Sequence, residues 1–447
     1  MPHLFELNDD VFESIVPLLS PKDASQVAMT CHAGYQLAMP RVLYEVKFTL
    51  AADSASILRF RAFCAFMMDD VARRSSFLRI MELQLDQYTP LPTRGDYRIG
   101  RHPFPNALAS ILEHALNLRE LVLESGHSLL ENHLRVCRAI SRLPSLRSLR
   151  ISVSHSRNPA LTAIVSRPRK LVLEFPRRWV RSPDTYLEAL LPVDLSAHVE
   201  ELHLSLVTWS AVMHDARFPR VRHLTLSYTL SMATSFDFSN AFPALRSVHW
   251  YVYMASWPYN SPICTVKLQS ALDQVEYTEC ISMPLMGRVR RLTITLRNHC
   301  EDTVAVLQQA APIVLDWGFY DVDAFQKLPL VAPQLRFLRV RIEKFTNEVG
   351  PDDLGELPLV AISVLVHAKI SELHHDSQIA SRLLQEIASV LPLVKFVEAR
   401  FGSPTELDRT AWFRVTSHTD HCQSTLEKLS QRESDMLEDR LLAIPRP

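Results

Sequence analysis

Apolar and polar positions follow two rhythms along this chain. The first 45 residues carry a helical one. Val11, Ile15, Leu18 and Leu19 share one stripe at helical spacing. Asn8 stands at a cap position, with Asp9 and Asp10 in the first turn facing the positive end of the helix dipole. Pro17 removes a backbone donor and predicts a kink or an early stop. Ser20-Pro21-Lys22-Asp23 is a second start signal, with serine at the cap, proline at the first helical position and an acid three residues after the cap. Val27, Cys31 and Tyr35 continue the apolar spacing, and Met39-Pro40 predicts the end of a third helical stretch.

Beyond this the rhythm changes. In EVKFTL, Val46, Phe48 and Leu50 alternate with polar residues, which predicts a strand. To about residue 400 one pattern then returns: apolar-x-x-apolar-x-apolar, often with Arg second and Pro two residues ahead. It reads P-S-LRSLRI at Leu146, Leu149 and Ile151, P-R-VRHLTL at Val221, Leu224 and Leu226, P-A-LRSVHW at Leu245, Val248 and Trp250, and P-Q-LRFLRV at Leu335, Leu338 and Val340. LRELVL, VEELHL and VRRLTI lack the proline, and weaker copies stand at Leu171-Leu173, Val275-Tyr277 and Val397.

The middle apolar positions are 121, 149, 171, 202, 224, 248, 275, 292 and 338. Most gaps are 17 to 31 residues, bracketing the roughly 20–29 of leucine-rich repeats. The final gap of 46 predicts a degenerate copy, PIVLDW at 312–317. NALASILEHAL, LLENHLRVCRAISRL and TVAVLQQAAP look helical between strands. So short a strand–helix unit cannot bury its own apolar face, so neighbours must stack. The expected fold is α/β: an irregular leucine-rich-repeat solenoid over 46–420, a small three-helix module over 1–45 before it, and a C-terminal cap or tail over 421–447. The stretches 86–106, 251–264 and 341–357, rich in proline, polar or aromatic residues, are expected to be long loops.

Composition narrows the chemistry. Nine glycines against 28 prolines leave little for phosphate-cradling loops or nucleophile elbows. No G-x-S-x-G, H-E-x-x-H, P-loop or kinase set appears, so no enzyme and no cofactor are expected. His374-His375-Asp376 and His418-x-x-His421-Cys422 lack the paired spacing of a structural zinc site, so no metal is expected either. A net charge of −1 argues against nucleic acid and membrane surfaces as partners. The seven scattered cysteines, with no secretion signal and no long apolar run, point to cytoplasm or nucleus.

Two segments combine arginine or aromatic residues in hot-spot proportions and are candidate target-binding sites: Arg177, Arg178 and Trp179 in one, Tyr251, Tyr253 and Trp257 in the other. Arg119, Arg147, Arg222, Arg246, Arg290 and Arg336 recur at one place in the repeat. Such a strip suits an acidic or phosphorylated target. The reading preferred from sequence makes them solvated residues at strand starts, their stems lying over apolar surface.

The string FELNDDVFESIVPLLSPKDASQVAMTCHAGYQLA resembles the F-box, the module that binds the Skp adaptor of cullin-RING ubiquitin ligases. The family's opening Leu-Pro corresponds to Leu7-Asn8, its acid-Val start to Asp10-Val11, its Ile and paired Leu to Ile15, Leu18 and Leu19, and its Ser-x-x-Asp cap to Ser20 and Asp23. Asn8 replaces Pro, His32 replaces Arg and Tyr35 replaces Trp. An N-terminal F-box followed by leucine-rich repeats is a layout of large fungal F-box families. The resemblance implies an SCF-type substrate receptor. Leu7, Asn8, Val11, Ile15, Leu18, Leu19, Ser20 and Asp23 would meet the Skp-type adaptor of the cullin complex, and the repeats would hold a protein substrate. Without the resemblance, the repeats alone imply an interaction scaffold with no ubiquitin link, or an enzyme built on one.

Overall fold

The computed structural model describes residues 11, 14–51, 54–85, 104–124, 127–152, 161, 163–174, 193–205, 217–227, 235–251, 265–267, 271–278, 287–295, 303–318, 325–342, 357–366, 384–385, 387–389, 391, 393–401, 409–418 and 424–445. It is a mixed α/β protein with two compact units, one of residues 1–221 with 229–231, the other of 222–228 with 232–447.

The first unit opens with helical turns. Val11, Ser14 and Ile15 are helical, and Val16–Leu18 forms a 3-10 turn holding Pro17, so the proline ends the opening helix. Helix α1 (Pro21–Ala28) starts where the Ser-Pro junction predicts. Ser20 Oγ accepts from Asp23 N at 3.2 Å and donates to Asp23 Oδ2 at 2.6 Å. Helix α2 (His32–Val42) is capped by Cys31, whose sulfur accepts from Gly34 N at 3.3 Å. It does not stop at Met39-Pro40. Pro40 lies in its last turn, where Leu43 N still reaches Met39 O at 3.0 Å, so one missing donor is tolerated.

Six parallel strands then follow in chain order, each paired with the next: β1 (Glu45–Leu50), β2 (Ile80–Leu85), β3 (Glu120–Glu124), β4 (Ser148–Ser152), β5 (Lys170–Glu174) and β6 (Glu201–Ser205). Register aligns Met81, Leu121, Leu149, Leu171 and Leu202 in one row and Leu83, Leu123, Ile151, Leu173 and Leu204 in the next. All ten are essentially inaccessible. Burying side chains of this size stabilises by about 1.5–3 kcal/mol each, and that drives the stacking. The connections hold α3 (Ser54–Met68), α4 (Val71–Ser76), α5 (Phe104–His114), α6 (His127–Asn132), α7 (Leu134–Ser141) and α8 (Val193–Ser196). Phe104 and Pro105 are buried in α5, so residues 104–106, expected as loop, begin a helix.

The second unit repeats the plan with β7 (His223–Ser227), β9 (Ser247–Tyr251), β11 (Leu272–Thr278), β12 (Val289–Thr295), β13 (Val314–Trp317), β14 (Phe337–Ile342), β15 (Ala361–Val366) and β16 (Phe396–Phe401), all parallel. A separate parallel pair is formed by β8 (Ser235–Asp237) and β10 (Thr265–Lys267). Helices α9 (Phe238–Ala241), α10 (Thr303–Ala310) and α11 (Leu328–Val331) lie between strands. The degenerate copy expected at 312–317 is β13. Residues 341–342, expected in a loop, end β14, and Leu357, at the far end of that same segment, is buried.

The rhythm breaks at the end. β17 (Arg409–His418) and β18 (Ser424–Lys428) are antiparallel, a departure from the repeat expected through residue 420. A hairpin needs only a short connection, whereas another parallel strand needs a crossover. Helix α12 (Gln431–Leu442) follows, with a reciprocal capping box between Ser430 and Glu433. It closes over a core of Ile313, Val314, Phe337, Ala361, Trp412 and Leu429, contributing Leu441, with Leu437, Leu442 and Ile444 at the margin. Within the segment expected as a cap or tail, α12 thus packs against the preceding strands.

Candidate functional site

The first candidate surface is the N-terminal module. Its helix pair has a small core of Ala24, Ala28 and Ala38, with Leu19, Val27, Tyr35, Met39 and Val42 packed around it. Alanines let the two helices approach closely but leave no volume for further large side chains. Val16 and Leu19 take the inward places; Val16 is 6% exposed and Leu19 half-buried. Leu18 is 84% exposed, Val11 43% and Ile15 38%, and Met29, just past α1, is 68% exposed. The expected apolar stripe is thus divided: Val11, Ile15 and Leu18 stay open, while Leu19 belongs largely to the module's own core. Ser20 and Asp23 are exposed and occupied in capping α1. Leu7 and Asn8 lie outside the described residues.

Polar contacts brace this module internally and against the helices that follow β1. Arg41 Nε donates to Leu19 O at 2.8 Å, tying the turn before α1 to the end of α2. Arg74 Nη2 donates to Tyr35 Oη at 3.3 Å, and its guanidinium lies 3.9 Å from the Phe66 ring centroid. Tyr35 therefore serves as a junction between helices from 39 residues apart in sequence.

Of the candidate target-binding residues, Arg177, Arg178, Trp179, Tyr253 and Trp257 lie outside the described residues. Tyr251 ends β9 and is half-buried, paired in register with Thr278.

The recurrent arginines divide by unit. Before the strands of the first unit, Arg119 and Arg147 are exposed. Sequence inspection left Arg79 and Arg169 out of this series, although they occupy the same place before β2 and β5. Their signal was present: Leu78-Arg79-x-Met81-x-Leu83 is the repeat pattern with methionine in its middle, and all three apolar side chains are fully buried. In the second unit Arg222 and Arg246 are exposed, but Arg290 is not a free solvated residue. Its Nη1 donates to Leu442 O at 2.6 Å, clamping the end of α12. Arg336 Nη1 donates to Pro358 O at 3.2 Å.

No group of His, Cys, Asp or Glu placed to hold a metal occurs among the described residues. Among those residues no helix is long and apolar enough to cross a membrane. Consecutive parallel strands with helices between them define an α/β protein whose candidate sites are surfaces. Compared with protein-family models and with curated proteins, the chain matches none.

Proposed function

We propose that this chain is the substrate-receptor subunit of an SCF-type cullin-RING ubiquitin ligase. Its N-terminal module acts as an F-box that docks the Skp-type adaptor, and its parallel strands form an irregular leucine-rich-repeat solenoid that holds a protein target. The supporting observation is the exposure of the apolar side chains of Val11, Ile15, Leu18 and Met29. An end-cap serving only its own chain would turn these side chains inward, because leaving them in water forfeits about 1.5–3 kcal/mol apiece. The chain itself does no chemistry in this reading. It raises the local concentration of target beside a ubiquitin-charged partner enzyme.

The test is co-purification of the full chain with a Skp-type adaptor. Wild type is expected to capture the adaptor, and Ile15→Asp and Leu18→Asp to lose it by at least about tenfold, since each buries a charge at the contact. Both positions are exposed, so melting temperatures should match wild type. A wild-type chain that never captures the adaptor refutes the ligase reading and leaves an interaction scaffold.

A further inference from the structure

We infer that a cleft in the first unit, lined by Arg79, Arg119, Arg147, Arg167 and Arg169, binds a phosphorylated side chain on a protein segment. The cleft encloses about 480 Å³, and its lining includes no carboxylate and no aromatic ring. It deepens the target-holding half of the function proposed above and is independent of adaptor docking.

Backbone register assembles it. Arg119 N donates to Arg79 O at 2.8 Å, Arg147 N to Arg119 O at 2.7 Å, and Arg169 N to Arg147 O at 2.8 Å. The four residues thus continue the ladder one step beyond β2, β3, β4 and β5, at the same end of the sheet. Neighbouring strands stand about 4.8 Å apart, so the arginine stems leave the backbone at that spacing. Arg167 adds a fifth guanidinium from the turn before β5.

Little inside the protein neutralises them. Arg119, Arg147 and Arg167 are exposed and have no ion-pair partner among the described residues, and Arg169 Nε lies 3.8 Å from Glu200. Arg79 is held in place by Nη1, which donates to Ser76 O at 2.7 Å and Leu78 O at 3.0 Å. Ser166 also lines the cleft, is 4% exposed, and its hydroxyl has no hydrogen-bond partner.

The charge and shape select the ligand. A carboxylate engages one guanidinium fork, whereas a phosphoryl group has three strong acceptor oxygens and nearly two charges, enough for several forks and a hydroxyl. A nucleic-acid strand needs a long basic track and aromatic stacking platforms. This cleft has no ring, and the chain carries a net charge of −1. Val165, an exposed apolar side chain in the wall, suits an apolar neighbour of a phosphorylated residue in a peptide.

The experiment uses the full chain and fluorescence anisotropy with three labelled probes: a degenerate phosphoserine peptide mixture, the same mixture unphosphorylated, and a short single-stranded RNA. The phosphorylated mixture should bind at least about tenfold tighter than the other two, with inorganic phosphate competing. Arg119→Gln/Arg147→Gln should abolish the preference, and Arg222→Gln/Arg246→Gln, at the matching places in the second unit, should keep it. Equal binding of the two peptide mixtures, tighter binding of RNA, or an unchanged preference in Arg119→Gln/Arg147→Gln overturns the inference. Adaptor capture is measured on the same preparations. Capture without phosphate preference refutes this inference alone; preference without capture refutes the ligase reading alone.

Discussion

Cys31 caps α2 with an exposed sulfur, whereas Cys64 and Cys137 are buried in the first unit. Burial pushes the Cys64 thiol up to about 12, because the apolar surroundings oppose a thiolate. Exposure governs access of a reagent, so Cys31 should alkylate in the folded chain while Cys64, buried and with its thiolate disfavoured, stays unmodified. Site-resolved mass spectrometry after iodoacetamide treatment reads this directly. Equal modification at the two positions would contradict the burial of Cys64 in α3. A different residue-level effect is seen at Ala311, which takes φ 41° just past α10 with its N–H 2.9 Å from Leu307 O. A chain with nine glycines has placed alanine where helix ends favour glycine, and nothing in the sequence TVAVLQQAAP announces it.

Strands supply the next scale. Arg150 on β4 reaches Glu124 on β3 at 2.9 Å and Glu174 on β5 at 2.7 Å, forming a bridge over three strands. Burial raises the Glu124 carboxyl, Arg150 opposes that rise, and Glu174 and Glu82 add to it. A raised carboxyl binds its proton more tightly in the folded state, so its contribution favours folding at acid pH and turns against folding as pH rises through its folded value. Arg150 offsets that penalty. Arg150→Met should therefore cost about 1 kcal/mol at neutral pH, given its partial exposure, and less below the carboxylate range. Urea denaturation at the two pH values tests this, and an equal loss at both would mean that the bridge contributes no net charge pairing. In the rows beneath, Leu149→Ala should cost about 2–5 kcal/mol by the same measurement, because a fully buried leucine leaves a cavity. The period-two pattern made most of these strands legible. Six went unread (β2, β8, β10, β15, β17 and β18), and of these β2 and β15 obey the same spacing in Leu78-x-x-Met81-x-Leu83 and Leu359-x-x-Ile362-x-Val364. Methionine and a run of unbroken apolar residues hid the alternation there.

At the scale of the whole molecule, the apolar face of a sheet needs a covering layer. In the second unit, α12 supplies one over Val314, Phe337 and Trp412, held by Leu441 in the core, by Arg290 on Leu442 O, and by Glu438, 2.6 Å from Arg339. Ending the chain after Leu429 would bare Trp412 and Phe337. The truncated protein should melt at a clearly lower temperature, lose about 3 kcal/mol or more, and bind a hydrophobic dye, as a protein with an exposed core does. Scanning calorimetry with dye fluorescence checks it, and an unchanged melting temperature would mean that α12 is dispensable.

The sequence alone determined the local states: helical turns before residue 45, strands wherever apolar residues alternate, and turns at Pro144, Pro219, Pro243 and Pro333. These follow from side-chain period and backbone sterics, which act over a few residues. Only the tertiary structure decided which side chains share a surface. Parallel register gathers Arg79, Arg119, Arg147 and Arg169 from 90 residues of chain into one cleft, helix packing turns Leu19 inward while Leu18 faces out, and the docking of α12 gives Arg290 a helix end 152 residues away. Such neighbours are set by pairing and packing between distant segments, and no local spacing contains that information.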